Sequence, residues 1–297
     1  MQQNRAQQWA IVALVLLAII WGYNWILMKI AVRYAPPFDF AAMRAFYGAL
    51  SLFLVMVWQR RSLRPRALTG TFWYGILQSG GTIGLATWAL VNGGAGKTAI
   101  LTYTMSFWTL LFAWAFLDEQ LKKRQWVSVG LAVAGVVFIM LPFSLISAPF
   151  SKGLALLAGV SWALASITAK KLHRDPGVDL LSLTAWQMLF GSLPLIGVSL
   201  LMSSTPIHWT PVFVGILIYN AVPGSAIAWL LWLYALKHLS TDMASLGALL
   251  TPVLGVGMAA AQLGEIPVLT ELIGIGLILL ALVLSLPFRA ATSWRLK

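Results

Sequence analysis

The sequence predicts an all-α membrane protein whose ten transmembrane helices form two inverted five-helix repeats. Three observations carry that expectation. The 297 residues are 60% apolar and only 9% charged, whereas a soluble domain uses about 25% charged residues to cover its surface. The 20 Lys and Arg and 8 Asp and Glu cluster between apolar runs long enough to cross a bilayer. The chain also matches itself. Trp21–Lys29 (WGYNWILMK) aligns with Trp162–Lys170 (WALASITAK), and the run ending Leu117-Asp118-Glu119 aligns with the run ending Leu263-Gly264-Glu265.

Apolar runs bounded by charges or by Pro and Gly predict the spans in order. They fall at 9–32, 38–58, 70–92, 97–117 and 124–142, then at 152–170, 179–201, 210–235, 241–262 and 269–288. The first run is too long for a signal-peptide core and lacks a small-x-small cleavage site, so it is expected to remain as an uncleaved span. Short connections leave no room for a soluble domain. The halves are expected at 1–147 and 148–297, and an odd number of spans in each turns the second copy upside down. The charges agree with this. Arg60–Arg66 holds four arginines, while its counterpart Ser203–Pro211 holds no Lys or Arg; Lys122–Arg124 corresponds to Ile266–Thr270, which likewise holds none. Fifteen Lys and Arg fall on the N-terminal side of the membrane and three on the other, which predicts cytoplasmic termini. Inverted repeats of this kind belong to carriers that bind substrate near the midplane.

Several function classes are excluded at this stage. The net charge of +12 comes from residues that punctuate loops, so no folded basic face for nucleic acid is expected. No cysteine is present, which removes disulfides, thiol catalysis and cysteine metal sites. His173, His208 and His238 are isolated, and no acid–base pair or metal-ligand cluster accompanies them, so neither an enzyme nor a cofactor is expected. Rings of charge and filter loops are lacking, which argues against a channel.

The five-plus-five spans, the opening WGYNWILMKIA, Arg44 early in the second span and the paired LDE and LGE span ends are similar to the drug/metabolite transporter superfamily. More narrowly the chain resembles its EamA-type ten-helix branch, and within it the bacterial exporters of aromatic and other amino acids. The resemblance implies a bacterial inner-membrane carrier working by alternating access. Helices 1–4 and 6–9 would surround a central cavity, and helices 5 and 10 would lie outside it. The implied partners are a small-molecule substrate and the lipid bilayer, and fused repeats make a working monomer the expectation.

Candidate substrate-facing residues follow from position within the spans. Trp21, Asn24, Trp25 and Met28 share one face of the first helix, and Trp21, Trp25, Trp108 and Trp162 lie too deep for an interfacial aromatic belt. Thr98, Thr102, Ser106 and Thr109 form a polar stripe on the fourth helix, with Tyr103 beside it. Gln78, Ser79 and Thr82 in the third helix, Ser166 in the sixth, and Tyr219, Asn220 and Ser225 in the eighth complete the set. Each of these side chains could instead seal helix–helix contacts. Gly80-Gly81 and Pro223-Gly224 interrupt corresponding helices, and Pro252 interrupts the ninth opposite Ser106. These are expected hinges, at which Leu in place of Gly80 and Gly81 should slow transport without harming the fold. Lys29 can snorkel, and Arg44 is expected to pair with Asp39 or lipid phosphate; attraction of a substrate carboxylate near the outer face is the alternative for either. All eight acids fall at span ends or in loops, and a proton-coupled carrier usually relays through a buried carboxylate. Gradient-driven export of neutral zwitterions through an uncharged, Trp-rich cavity is therefore the expected function. Export of drugs or another metabolite, with or without proton coupling, is the alternative.

Overall fold

The computed structural model describes residues 2–117, 120–141, 148–172, 178–202, 205–239 and 241–285. Asp118, Glu119, His173, Arg174, Asp175, Arg289, Arg295 and Lys297 lie outside the described residues, as do the side chains of Arg5, Lys237 and Asp242.

Ten helices account for the described residues. They are α1 (Gln2–Ala31), α2 (Pro37–Trp58), α3 (68–92), α4 (95–117), α5 (Lys123–Met140), α6 (Pro149–Leu172), α7 (Leu180–Met202), α8 (211–238), α9 (Thr241–Leu263) and α10 (Leu269–Ser285). Apart from the start of α1, every end falls within three residues of its expected place. Local chemistry explains several of these ends. Proline opens α2 and α8, where its missing N–H has no partner to lose. Thr210 caps α8 by accepting from the Phe213 amide at 3.2 Å. Gly264, at φ 66°, ends α9 in the left-handed conformation that glycine adopts at no steric cost.

Three helices are not continuous α-helix. In α3 the stretch Ile76–Ile83 is π-helical, and in α8 so is Val222–Ile227. In α4 a turn at 103–104 separates Ala95–Thr102 from Met105–Leu117. The two π-helical stretches coincide with Gly80-Gly81 and Pro223-Gly224, and each is stabilised in the same way. Thr82 Oγ1 donates to the Leu77 carbonyl at 3.1 Å, and Ser225 Oγ to the Asn220 carbonyl at 2.8 Å, both five residues back.

Packing between the halves repeats under exchange of one for the other. Helix α2 packs on α7, α5 on α10 and α4 on α9; α1 packs on α8 as α6 does on α3, and α1 on α9 as α6 does on α4. Between lipid-bathed helices there is no hydrophobic drive, so close backbone approach at small residues does the work. The α5–α10 contact shows this most clearly. A Cβ on Gly135 would lie 2.7 Å from the Gly274 carbonyl oxygen, and one on Gly274 would lie 2.6 Å from that of Gly135. Outward faces carry residues such as Trp58, Leu200 and Leu201, each more than four-fifths exposed and suited to the acyl chains.

The two ends of the bundle are closed differently. At the end where α1 finishes, one apolar core joins Ile26, Phe40, Leu90, Ala99, Phe213 and Ala259, residues drawn from both halves. Polar contacts reinforce this far end. Glu265 accepts from the amides of Ala95 and Gly96 at 2.9 and 3.1 Å, at the start of α4. Glu271 pairs with Lys97 at 3.0 Å and with Lys152 at 3.8 Å. Lys29, partly buried near the end of α1, donates to the carbonyls of Leu90 and Val91 at the end of α3. At the opposite, arginine-rich end the described apolar contacts form separate clusters, linking α1 with α8, α2 with α7 and α8, and α3 with α6 and α7. An exposed ion pair of 2.7 Å between Arg61 and Asp179 spans the halves there.

Candidate functional site

Between the halves, near the middle of the bundle, lies a cavity of about 120 Å³. Trp21 stands ten residues before the end of α1, which at 1.5 Å per residue is about 15 Å, or half the hydrocarbon thickness. The wall draws on Trp21, Asn24, Trp25 and Met28 of α1, Arg44 of α2, and Gln78, Ser79, Thr82, Ile83 and Ala86 of α3. Thr102 and Tyr103 of α4, Trp162 of α6, Gln187 and Met188 of α7, and Gly224, Ser225 and Trp229 of α8 complete it. Among the described residues α5, α9 and α10 contribute no side chain to it.

The interruptions of α3 and α8 form part of this wall. Trp21 Nε1 donates to the Gly224 carbonyl at 3.1 Å, tying α1 to the π-helical stretch of α8, and its ring meets Trp229 edge-on at 5.8 Å. On the other side Ser161 Oγ donates to the Leu77 carbonyl at 2.8 Å, tying α6 to the π-helical stretch of α3, while Trp162 packs edge-on against Tyr103 at 5.5 Å. Backbone carbonyls that a regular helix would consume are thus turned toward side chains of the neighbouring half. A Cβ on Gly81 would lie 2.2 Å from Ser161 Oγ. A larger residue there would press on Ser161 at the α3–α6 contact. Pro252 does not interrupt α9, which runs as continuous α-helix through it, and it is not among the residues that line the cavity.

Arg44 corrects the expectation of an uncharged cavity. Its side chain neither pairs with Asp39 nor reaches lipid. It is 7% exposed, faces the cavity, and donates through Nη1 to Met28 Sδ at 2.8 Å, while its Nε has no partner. Asp39 bonds Ser199 instead. Asn24, also 7% exposed, donates to the same sulfur at 3.3 Å and leaves its Oδ1 without a partner. A thioether is a weak acceptor, so the guanidinium sits in the membrane interior with little to replace its hydration.

Seven expected residues lie outside the wall, among them Thr98 and Thr109 of the α4 stripe, Thr109 bonding the Met105 carbonyl of its own helix. Ser166 donates to the Trp162 carbonyl of its own helix, Tyr219 to the Ile20 carbonyl, and Asn220 to the Ile216 carbonyl. Trp108 stacks on Phe112, and Ser106 also lies outside the lining. The wall in turn contains Arg44, Gln187, Met188 and Trp229, which position within the spans did not select. Gln187 carried a usable signal, being the one amide in a largely apolar α7.

The architecture now meets comparison with known proteins. A model of the EamA-like transporter family matches residues 8–141 and again residues 151–286. The chain belongs to that family. Each match covers five of the ten helices, and the family makes this chain a multi-pass membrane transporter of small molecules rather than an enzyme. The "Uncharacterized transporter YoaV" of Bacillus subtilis is 28% identical over 83% of this chain and 86% of its own length. A "Probable amino-acid metabolite efflux pump" of Salmonella typhimurium is 28% identical over 90% of this chain and 91% of its own. The "Uncharacterized inner membrane transporter YedA" of Escherichia coli K12 is 26% identical over 92% and 89%. A solved crystal structure matches with a TM-score of 0.66 at 17% identity, covering 93% of this chain and 96% of that one, which is a likeness of fold.

Proposed function

We propose that this transporter carries small amino-acid-like metabolites out of the cytoplasm by alternating access. The halves 1–147 and 148–297 would rock about the cavity, flexing at Gly80-Gly81, Pro223-Gly224 and Pro252. The observation that carries this reading is the central cavity, with aromatic walls, hydroxyls and amides, closed toward the far end by an apolar core that joins the halves. Its volume of about 120 Å³ lies below the roughly 300–1,000 Å³ of sites for drug-sized ligands, which favours a metabolite over a drug. The named function of the Salmonella relative, 28% identical, supports the same substrate class. The excess of Lys and Arg on one side supports cytoplasmic termini in a bacterial inner membrane. No Asp or Glu lines the cavity among the described residues, and this supports facilitated movement without proton exchange. A single chain holds both halves of the cavity, which supports a working monomer.

Uptake of labelled phenylalanine and threonine by proteoliposomes tests this reading. Saturable uptake that equilibrates without a proton gradient, and that falls in the Trp21→Ala/Trp162→Ala variant, is the expected result. Many-fold accumulation driven by an imposed proton gradient would overturn the facilitative mechanism. Absence of uptake of both amino acids would overturn the substrate class.

A further inference from the structure

Arg44 and its counterpart across the pseudo-twofold are the starting point. Arg44 is seven residues into α2, and Gln187 is seven residues into α7. Both line the cavity, so the fold presents one long polar side chain from each half at equivalent depth. The two are satisfied very differently. Gln187 Oε1 accepts from Ser79 Oγ at 2.9 Å. Counting from the paired hydroxyls Thr82 and Ser225, the position equivalent to Ser79 in the second half is Val222, which offers Arg44 nothing. A guanidinium keeps its charge in proteins, and burying it without a counter-charge is costly. A buried cation facing a cavity, with an orphaned N–H, is a site waiting for an anion.

Asn24 adds a second requirement beside it. Its amide and the Arg44 guanidinium share one sulfur, at 3.3 and 2.8 Å, which places the two donor nitrogens within about 6 Å of each other. The free atom of Asn24 is an acceptor, Oδ1, with Gly224 beside it. A phosphate or a dicarboxylate would bring more oxygen atoms to an oxygen already lacking a donor. A group with one carboxylate and an adjacent ammonium meets both needs at once, and the faces of Trp21, Trp25 and Trp162 add a cation–π environment for the ammonium.

We propose that Arg44 and Asn24 form the head-group receptor of the cavity, Arg44 taking the carboxylate and Asn24 Oδ1 the ammonium of an α-amino acid. The inference rests on the amino-acid reading above and sharpens it. The aromatic wall then holds the side chain, and Met28 Sδ is the placeholder that substrate displaces from the guanidinium.

The test uses purified full-length protein and three probes: phenylalanine, phenylalaninamide, which lacks the carboxylate, and 3-phenylpropionate, which lacks the ammonium. Ligand-induced thermal stabilisation reads binding without transport, and proteoliposome uptake reads carriage. Phenylalanine is expected to bind most tightly, 3-phenylpropionate next, and phenylalaninamide at least about tenfold more weakly than phenylalanine, as loss of a charge-assisted hydrogen bond demands. Arg44→Gln should lose that discrimination, Arg44→Lys should keep some of it because a point charge replaces the planar fork, and Asn24→Leu should bring phenylalanine down toward 3-phenylpropionate. Equal binding of the amide and the acid by the wild-type protein would overturn the proposal even if Arg44→Gln fails to fold. So would an Arg44→Gln variant that folds and retains its affinity for phenylalanine. If phenylalanine is neither carried nor bound but 3-phenylpropionate binds through Arg44, the amino-acid reading falls and the carboxylate assignment stands. If none of the three binds, both fall.

Discussion

A methyl group added at Gly135 should weaken the whole bundle, and the amount can be worked out. A Cβ there would lie 2.7 Å from the Gly274 carbonyl oxygen and 2.7 Å from Ile278 Cγ1, where carbon atoms in relaxed contact stand roughly 3.5–4.0 Å apart. Nor can the partner retreat by rearranging a side chain, because the obstacle is backbone. Helices α5 and α10 would have to separate by about 1 Å along their contact. Overpacking of this kind costs about 1–3 kcal/mol, offset by the 0.5–1 kcal/mol, roughly, that alanine gains over glycine within a helix. The net loss is on the order of 1–2 kcal/mol, which corresponds to a fall of about 2–8 °C in the unfolding midpoint. Thermal unfolding of detergent-purified protein, followed by tryptophan fluorescence, measures it. Gly274→Ala should lose the same amount, because the two glycines are equivalent across the pseudo-twofold. The double variant should lose less than the sum, since one separation relieves both clashes. Gly130→Ala and Gly276→Ala are the controls, with nothing within 4 Å of their new Cβ atoms, and should be neutral or slightly stabilising. A Gly135→Ala protein as stable as Gly130→Ala would refute the close-contact reasoning. Widely different losses at Gly135 and Gly274 would refute their equivalence.

Three further outcomes are expected. Glu265→Gln should loosen the far end by weakening the capping of α4, so that a thiol introduced by Ala35→Cys, the sole thiol in a chain without native cysteine, reacts several-fold faster with an impermeant maleimide; an unchanged rate would deny Glu265 that role. Glu271→Gln leaves Lys152, 4% exposed, as a buried charge without its partner and should cost about 3–5 kcal/mol in thermal stability. Adding Lys152→Met should restore much of that loss, and absence of rescue would show that the pair is not the cause. Gly81→Ala should slow uptake by pressing on Ser161 Oγ, and Ser161→Gly should restore it; a Gly81→Ala carrier with wild-type turnover would show that the α3–α6 contact does not govern the rate.

Much of this architecture was legible because apolar runs, charge clusters and repeated landmarks are written along the chain itself. Most span ends and the interruptions of α3 and α8 could be read from Pro, Gly and charge alone, whereas the turn in α4 could not, and Pro252 leaves α9 a continuous helix. Side-chain direction was legible only while the helices stayed regular. Thr102 lines the cavity, but the turn at 103–104 rotates the rest of α4, so Ser106 and Trp108 leave the face that a continuous helix would give them. The π-helical stretch of α8 has the same effect. Tyr219 and Asn220 precede it and face other helices, while Gly224, Ser225 and Trp229, within it or beyond, reach the wall. Arg44 was misplaced for another reason. Depth along α2 suggested the membrane surface, and only the rotation of α2 against α7 shows that the long side chain runs inward. Among the described residues Asp39, Asp179, Glu265 and Glu271 stand at helix ends or in loops, where the charge census expected them, yet that census could not show that one arginine would be left without any of them.

The unequal closure of the two ends has a kinetic consequence. Opening the far mouth must split one continuous apolar core drawn from both halves, together with the Glu265 and Glu271 contacts, whereas at the arginine-rich mouth the described contacts between the halves are divided among three smaller clusters. The empty carrier should therefore spend most of its time with the far mouth shut. A ligand approaching from there meets a competent site only in proportion to the minor population, and its apparent dissociation constant rises by that factor, about tenfold for a bias of 1.4 kcal/mol. Microscopic reversibility then demands compensation in an unpowered carrier: the face that saturates at higher concentration must also reach the higher maximal rate. Under the unpowered mechanism proposed above, such a protein would sense concentration sharply on one side of the membrane and only loosely on the other.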